Sequence, residues 1–212
     1  MISTHPLSAT VSANPPPANA PDLESLARAR FPDLKPAEVK LVRAATKGDI
    51  AVCDPSKGLD DPTNYPAKAK QWGPEREIRA ELIRWLCAHR RARKLIDPKG
   101  IRVLGAKITG PLDLNSTDVP FPLRVERCCL SEGVTLIGLH VPELSFNGSW
   151  TQFIHADGAE VKGCVCLGEG FHAQGIVHLN GATIGGDLDC DGGGICECKC
   201  HRNCCGRSNR GR

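Results

Sequence analysis

From Gly105 onward, apolar and polar positions recur on a fixed short period. GAKITGPLDL from Gly105 is followed by STDVPFPLRV from Ser116 and RCCLSEGVTL from Arg127, and the register returns at Gly138, Gly148, Gly158, Gly170 and Gly181. Successive starts differ by 11, 11, 11, 10, 10, 12 and 11 residues. A compact residue stands second in the unit, as in Ala106, Ala159 and Ala182. The fourth position is aliphatic in Ile108, Val119, Leu130, Val141, Val161 and Ile184, with Thr151 and Ala173 in two units. The eighth and tenth are apolar around one variable residue, as in Leu112-Asp113-Leu114, Leu123-Arg124-Val125, Val165-Cys166-Leu167, Val177-His178-Leu179 and Leu188-Asp189-Cys190. Alternation with period two is a strand with one buried face. A constant repeat is one structural unit stacked on itself.

One unit is too short to circle a core. Two units, about 22 residues, supply four short sides, and eight units supply about four coils that rise ~4.8 Å each through strand pairing. Glycines at positions one and six permit the corners. The pattern therefore predicts a parallel β-solenoid with a narrow aliphatic interior; an antiparallel sandwich also alternates but does not hold a constant period.

Ahead of the repeat the periodicity is helical. Residues 22–31 read as a short helix opened by Asp22, and residues 36–47 as a second, with Pro36 in its first turn and Gly48 past its end. Residues 53–73, broken by Pro55, Gly58, Pro62 and Pro66, read as a loop. Residues 74–94 read as the strongest helix: Ile78, Leu82, Trp85, Leu86 and His89 share one face, with Glu75 and Glu77 early and Arg90, Arg91, Arg93 and Lys94 late. This helix is expected to cap the first coil, whose end exposes apolar surface and unpaired backbone. The fold class is thus α+β: a short helical N-terminal region capping a right-handed parallel β-solenoid of about four coils. Four regions follow: a disordered arm (1–21), helices and loop (22–98), solenoid repeats (99–191), and a Cys/Arg-rich unstructured tail (192–212).

Composition refines this. Aromatics are 4% of the 212 residues, so the core must come from Leu, Ile, Val and Ala. The net charge is +3, yet residues 101–195 hold eleven acids against five bases, a net of −6, which leaves the flanks basic. The opening MISTHPLSATVSANPPPANAP lacks the features of a secretory signal, and no apolar run is long enough to span a bilayer. A cytoplasmic protein with no membrane span is the expectation, its cysteines outside the tail free thiols.

Candidate chemistry is sparse. No G-x-G-x-x-G and no C-x-x-C occurs. Cys164 and Cys166 flank inward Val165 and are expected to face outward together; Cys128 and Cys129 face opposite sides; Cys190 is expected in the core. His140 and His172 take outward third positions and His178 an outward ninth, while the direction of His155 is not set, because its unit is irregular. No catalytic residues and no resident cofactor are assigned.

The tail is the sharpest chemical signal. Cys196, Cys198, Cys200, His201, Cys204 and Cys205 lie within ten residues and supply soft donors suited to zinc or copper(I). A second reading stands beside it. The repeat stops after Asp191, where the next unit offers Lys199 and His201 at its eighth and tenth positions, as the end of a truncated or frame-shifted repeat would. The tail bases and Arg90–Lys94 lack interleaved aromatics, so no nucleic-acid partner is expected.

The motifs GAKITGPLDL, ADGAEVKGCVCL and LNGATIGGDLDC, with the lead-in WGPEREIRAELIRWLC, resemble bacterial pentapeptide-repeat-like solenoid proteins over residues 72–191. Some members of that group carry the label membrane-associated oxidoreductase. The units here run ten to twelve residues rather than a strict five, and the resemblance implies a fold and no particular site residue. The functional expectation is a non-enzymatic scaffold for a protein partner, with metal or redox chemistry at the tail cysteines, or an oxidoreductase activity, as alternatives. An uncapped last coil, Gly181–Cys190, is expected to favour end-to-end self-association.

Overall fold

The computed structural model describes residues 22–54 and 61–199, with residues 196–199 described by backbone alone. The predicted arm and most of the tail lie outside these residues.

Short parallel strands stack into a β-solenoid of about four turns, behind a few N-terminal helices. Each coil has four sides, and within the repeats paired residues lie 20–23 positions apart in the chain, as in Val134↔Ile154 and Val165↔Leu188. Two repeat units therefore make one coil, because each supplies two strands and two corners.

The first side stacks β1 (Ala51–Val52), β3 (Ile101–Leu104), β6 (Leu123–Glu126), β10 (Leu144–Ser145), β14 (Val165–Cys166) and β17 (Leu188–Asp189). The second runs β2 (Glu77–Arg79), β4 (Lys107–Thr109), β7 (Cys129–Leu130), β11 (Trp150–Thr151) and β15 (His172–His178). The third, β5 (Leu112–Asp113), β8 (Val134–Thr135) and β12 (Ile154–His155), also ends on β15, whose seven residues turn the corner and join both sides; with β18 (Gly194–Lys199) paired to β15 they make one nine-stranded sheet. The fourth holds β9 (His140–Val141), β13 (Glu160–Val161) and β16 (Thr183–Ile184).

The fourth-position column is buried through Ile108, Val119, Leu130, Val141, Thr151, Val161 and Ala173, and Leu112, Leu123, Val134, Val165 and Val177 line the other sides. This stacking of like on like fills a core that contains few rings, chiefly Phe146 and Phe171. All eight repeat starts, and Gly192 after them, sit in the left-handed backbone region; Ser116 (φ 51°) and Arg127 (φ 49°) do so despite carrying a Cβ. Gly158 isolates the cost of that geometry, because a Cβ there meets nothing within 4 Å while φ is +65°. Gly158→Ala is expected to destabilise the fold by about 1 kcal/mol, all of it backbone strain. A chemical-denaturation midpoint shows this, and no loss would mean that the corner relaxes freely.

The helices α1 (Leu23–Arg30) and α2 (Pro36–Lys47) form as the sequence predicts: the Asp22 carboxylate accepts from Ser25 N–H, and Gly48 closes α2 at φ 68°. The single helix predicted over 74–94 does not form. Pro74–Arg76 is a 3-10 turn, Glu77–Arg79 is β2, and only Ala80–Ala88 is helical (α3). The ladder overrides helical periodicity here: Ile78 pairs with Ile108 and is fully buried, so β2 adds a rung below the first coil. Capping is thus shared by β1, β2 and α3, which packs on β5 while Arg84 pairs with Asp113 at 3.0 Å.

At the far end, pairing passes beyond Asp191, where the sequence pattern breaks off. β18 (Gly194–Lys199) lies parallel to β15, with Ile195 opposite Ala173 and Cys198 opposite Val177. Gly192 opens this rung as a ninth repeat start, and Ile195 falls at its fourth position. Ladder hydrogen bonds and one aliphatic suffice to hold a strand whose other residues depart from the repeat. Among the described residues no strand covers the outer edge of β16, β17 or β18, and Ala182, Ile184, Leu188, Cys190 and Ile195 are only partly buried.

Candidate interaction surface

The outward positions form columns, because parallel pairing in register repeats each side chain's direction. On the nine-stranded sheet these columns gather most of the solenoid's exposed rings. Trp150 pairs with His172, their rings 5.4 Å apart, and Trp150 is 37% exposed. On the adjoining side His155 pairs with His178, with centroids 4.9 Å apart, and the Phe153 ring lies 4.6 Å from His155. Phe153 can lie there because it covers Gly133, where any Cβ would collide with the ring.

Asp157 borders this group. Its Oδ1 accepts the Asn180 N–H at 2.9 Å, and its Oδ2 stands 3.8 Å from His178 Nδ1. Below His155 the column continues to Thr135, and above His178 the register places Lys199. The other sides carry polar pairs: Arg124 meets Glu143 at 2.7 Å on the first, and His140 Nε2 faces Glu160 at 3.5 Å on the fourth.

The direction of His155 was readable from its neighbours. Its unit is one residue short, so Ile154 and Ala156, rather than the eighth and tenth positions, are the buried pair. His140 is exposed and His172 and His178 are partly exposed, as their positions predict. The sequence does not reveal that coil stacking brings His155 beside His178, because the two stand in different units.

The cysteines divide by burial. Cys128 is buried and Cys129 half-buried, facing opposite ways, and Cys164 and Cys166 are both half-buried about inward Val165. Cys190 is partly buried against the core. Of the tail donors, Cys196 and Cys198 lie on the β18 backbone, while Cys200, His201, Cys204 and Cys205 fall outside the described residues. Among the described residues no group of three or more His, Cys, Asp or Glu side chains is placed to hold a metal ion.

Burial pushes the Cys53 thiol up to about 11 and the Cys87 thiol up to about 12, and raises Cys128 as well. A thiol raised in the folded state stabilises it fully below the ordinary value of 9.0, and that contribution is lost as pH climbs through 11 and 12. Stability is therefore expected to fall on the alkaline side of pH 9. Cys53, Cys87 and Cys128 should resist alkylation until the chain unfolds, whereas Cys164 and Cys166 react in the native state. Mass spectrometry of peptides after a short alkylation pulse reads this directly; native-state labelling of Cys87 would contradict the packing of α3.

Comparison with protein-family models, curated proteins and solved structures finds no match. Among the described residues no helix is long and apolar enough to cross a membrane.

Proposed function

We propose that this chain is a non-enzymatic β-solenoid scaffold that binds a protein partner through the ring-bearing side of its nine-stranded sheet. The observation that carries the reading is Trp150, more than a third exposed beside His172 on strands locked in register. A preformed sheet loses little entropy on binding, and Trp is a frequent anchor of protein interfaces. The pentapeptide-repeat-like kinship, supported by the motifs and by the four-turn solenoid, fits a scaffold role. The same reading places the chain in a reducing cytoplasm, where its buried thiols persist unpaired. The half-covered apolar residues of the last coil support end-to-end self-association as an accompanying property.

The test is direct binding. A partner retained by the immobilised chain is expected to rebind it when both are pure, and Trp150→Ala is expected to weaken that binding about ten-fold with an unchanged unfolding midpoint. Substrate turnover by the isolated chain, with no direct partner, would overturn the reading.

A further inference from the structure

We propose that His155 and His178 form a two-imidazole site for a borderline divalent transition-metal ion such as Zn²⁺, with water completing its coordination. The two residues are direct register partners on parallel strands, with side chains on the same outer side and rings 4.9 Å apart. Two Zn–N bonds of about 2.0–2.1 Å at a tetrahedral angle need nitrogens about 3.3 Å apart. Both side chains are half-buried, so their outer edges are open to an ion, and ring centroids 4.9 Å apart put both imidazoles within reach of one shared ion.

The surroundings favour this use. Asp157 is pinned by Asn180 N–H and presents its second oxygen to His178 Nδ1 at 3.8 Å. A carboxylate on this side of the ring would accept the Nδ1 proton once an ion bound at Nε2 turned the ring toward it, the arrangement carboxylates take behind metal-binding histidines. Asp157 is therefore a positioning residue and not a third ligand, in keeping with the lack of any three-donor group among the described residues. Phe153 packs beside His155 and limits its swing. The acidic balance of the repeat region, −6 over residues 101–195, raises the local concentration of cations. Imidazole pairs suit zinc, copper(II) and nickel, and exclude calcium and magnesium, which take oxygen.

The test uses the full chain with ¹⁵N-labelled histidine and zinc ions alone as the probe. Ring nitrogens are followed individually, so zinc held by cysteines does not enter the readout. The His155 and His178 rings are expected to shift along one common binding curve while His140 and His172 stay fixed. His155→Asn should abolish the response of His178, and His178→Asn that of His155, with unfolding midpoints unchanged because both rings face outward. Asp157→Asn should weaken both responses about ten-fold. Separate midpoints for the two rings, a response in one that survives loss of the other, or no movement at millimolar zinc would each overturn the site.

Discussion

Arg76→Ala is expected to destabilise the protein by about 3 kcal/mol, which for a chain of this size lowers the thermal midpoint by about 10 °C. Arg76 is 4% exposed, and its guanidinium joins three segments that the sequence separates. It pairs with Asp54 at 2.7 Å, donates to Asn64 Oδ1 at 2.9 Å and to the Gly105 carbonyl at 3.3 Å, and lies over the Trp72 ring at 4.9 Å. Gly105 opens the first repeat, so this contact fastens the loop before β2 to the first corner of the solenoid. Deleting the side chain removes the cation faced by Asp54 and by buried Asn64, and leaves a hole beside Trp72. Breaking one side of a buried pair costs more than the pair contributes, because the remaining polar groups stay desolvated. Arg76→Lys should recover less than half of the loss, since one ammonium cannot reach a carboxylate, an amide and a carbonyl while stacking on an indole. Urea unfolding of the two variants reads both effects. An Arg76→Ala midpoint within experimental error of wild type would mean that the loop contributes nothing to the first coil.

The solenoid is legible because its determinants are local and repeated. A buried column needs only an aliphatic at the same step in every coil, and Ile108, Leu130, Thr151, Ala173 and Ile195 show how much variation that column tolerates. The segment 74–94 was misleading for a reason of the same kind. Ile78 lies in helical phase with Leu82 and Trp85, but pairing with Ile108 satisfies its backbone and buries its side chain together, and no helical pattern reports a strand partner thirty residues away. The strand at Gly194–Lys199 was hidden because side-chain pattern fails there while backbone pairing continues. The ring surface was half-legible. The outward directions of His172 and His178 follow from alternation, whereas the irregular unit left that of His155 open, and the meeting of His155 with His178, and the seat of Phe153 over Gly133, depend on which coil stacks on which.

Glu38→Ala is expected to cost about 3 kcal/mol at neutral pH, and Glu38→Gln to remove part of the protein's acid sensitivity. Glu38 is fully buried near the start of α2 and holds β2 to that helix. Its carboxylate accepts from Arg79 Nε at 2.7 Å, from the Arg79 N–H at 2.9 Å, from the second Arg79 guanidinium nitrogen at 2.7 Å, and from the Lys35 N–H at 2.9 Å. Burial is the largest single influence on this carboxyl and pushes it up, but the hydrogen bonds from Arg79 and Lys35, with the Arg79 charge, together hold it below its ordinary 4.5. The same pairing raises Arg79, which stays charged throughout. A carboxyl held low in the folded state gives its full stabilisation above pH 4.5, and loses it as pH falls through the depressed folded value. Wild type should therefore lose stability as pH falls below 4.5, and Glu38→Gln, weaker at pH 7 because an amide cannot accept four donors, should lose less over the same descent. Half-buried Glu24 and exposed Asp22 and Asp33 are also held low, so the comparison rests on the difference between the two proteins and not on either curve alone. Parallel acid slopes would show that the pairing of α2 with β2 makes no pH-dependent contribution. A flatter slope in Glu38→Gln would identify one buried carboxylate as an acid-sensitive link between the helical cap and the first rung of the solenoid.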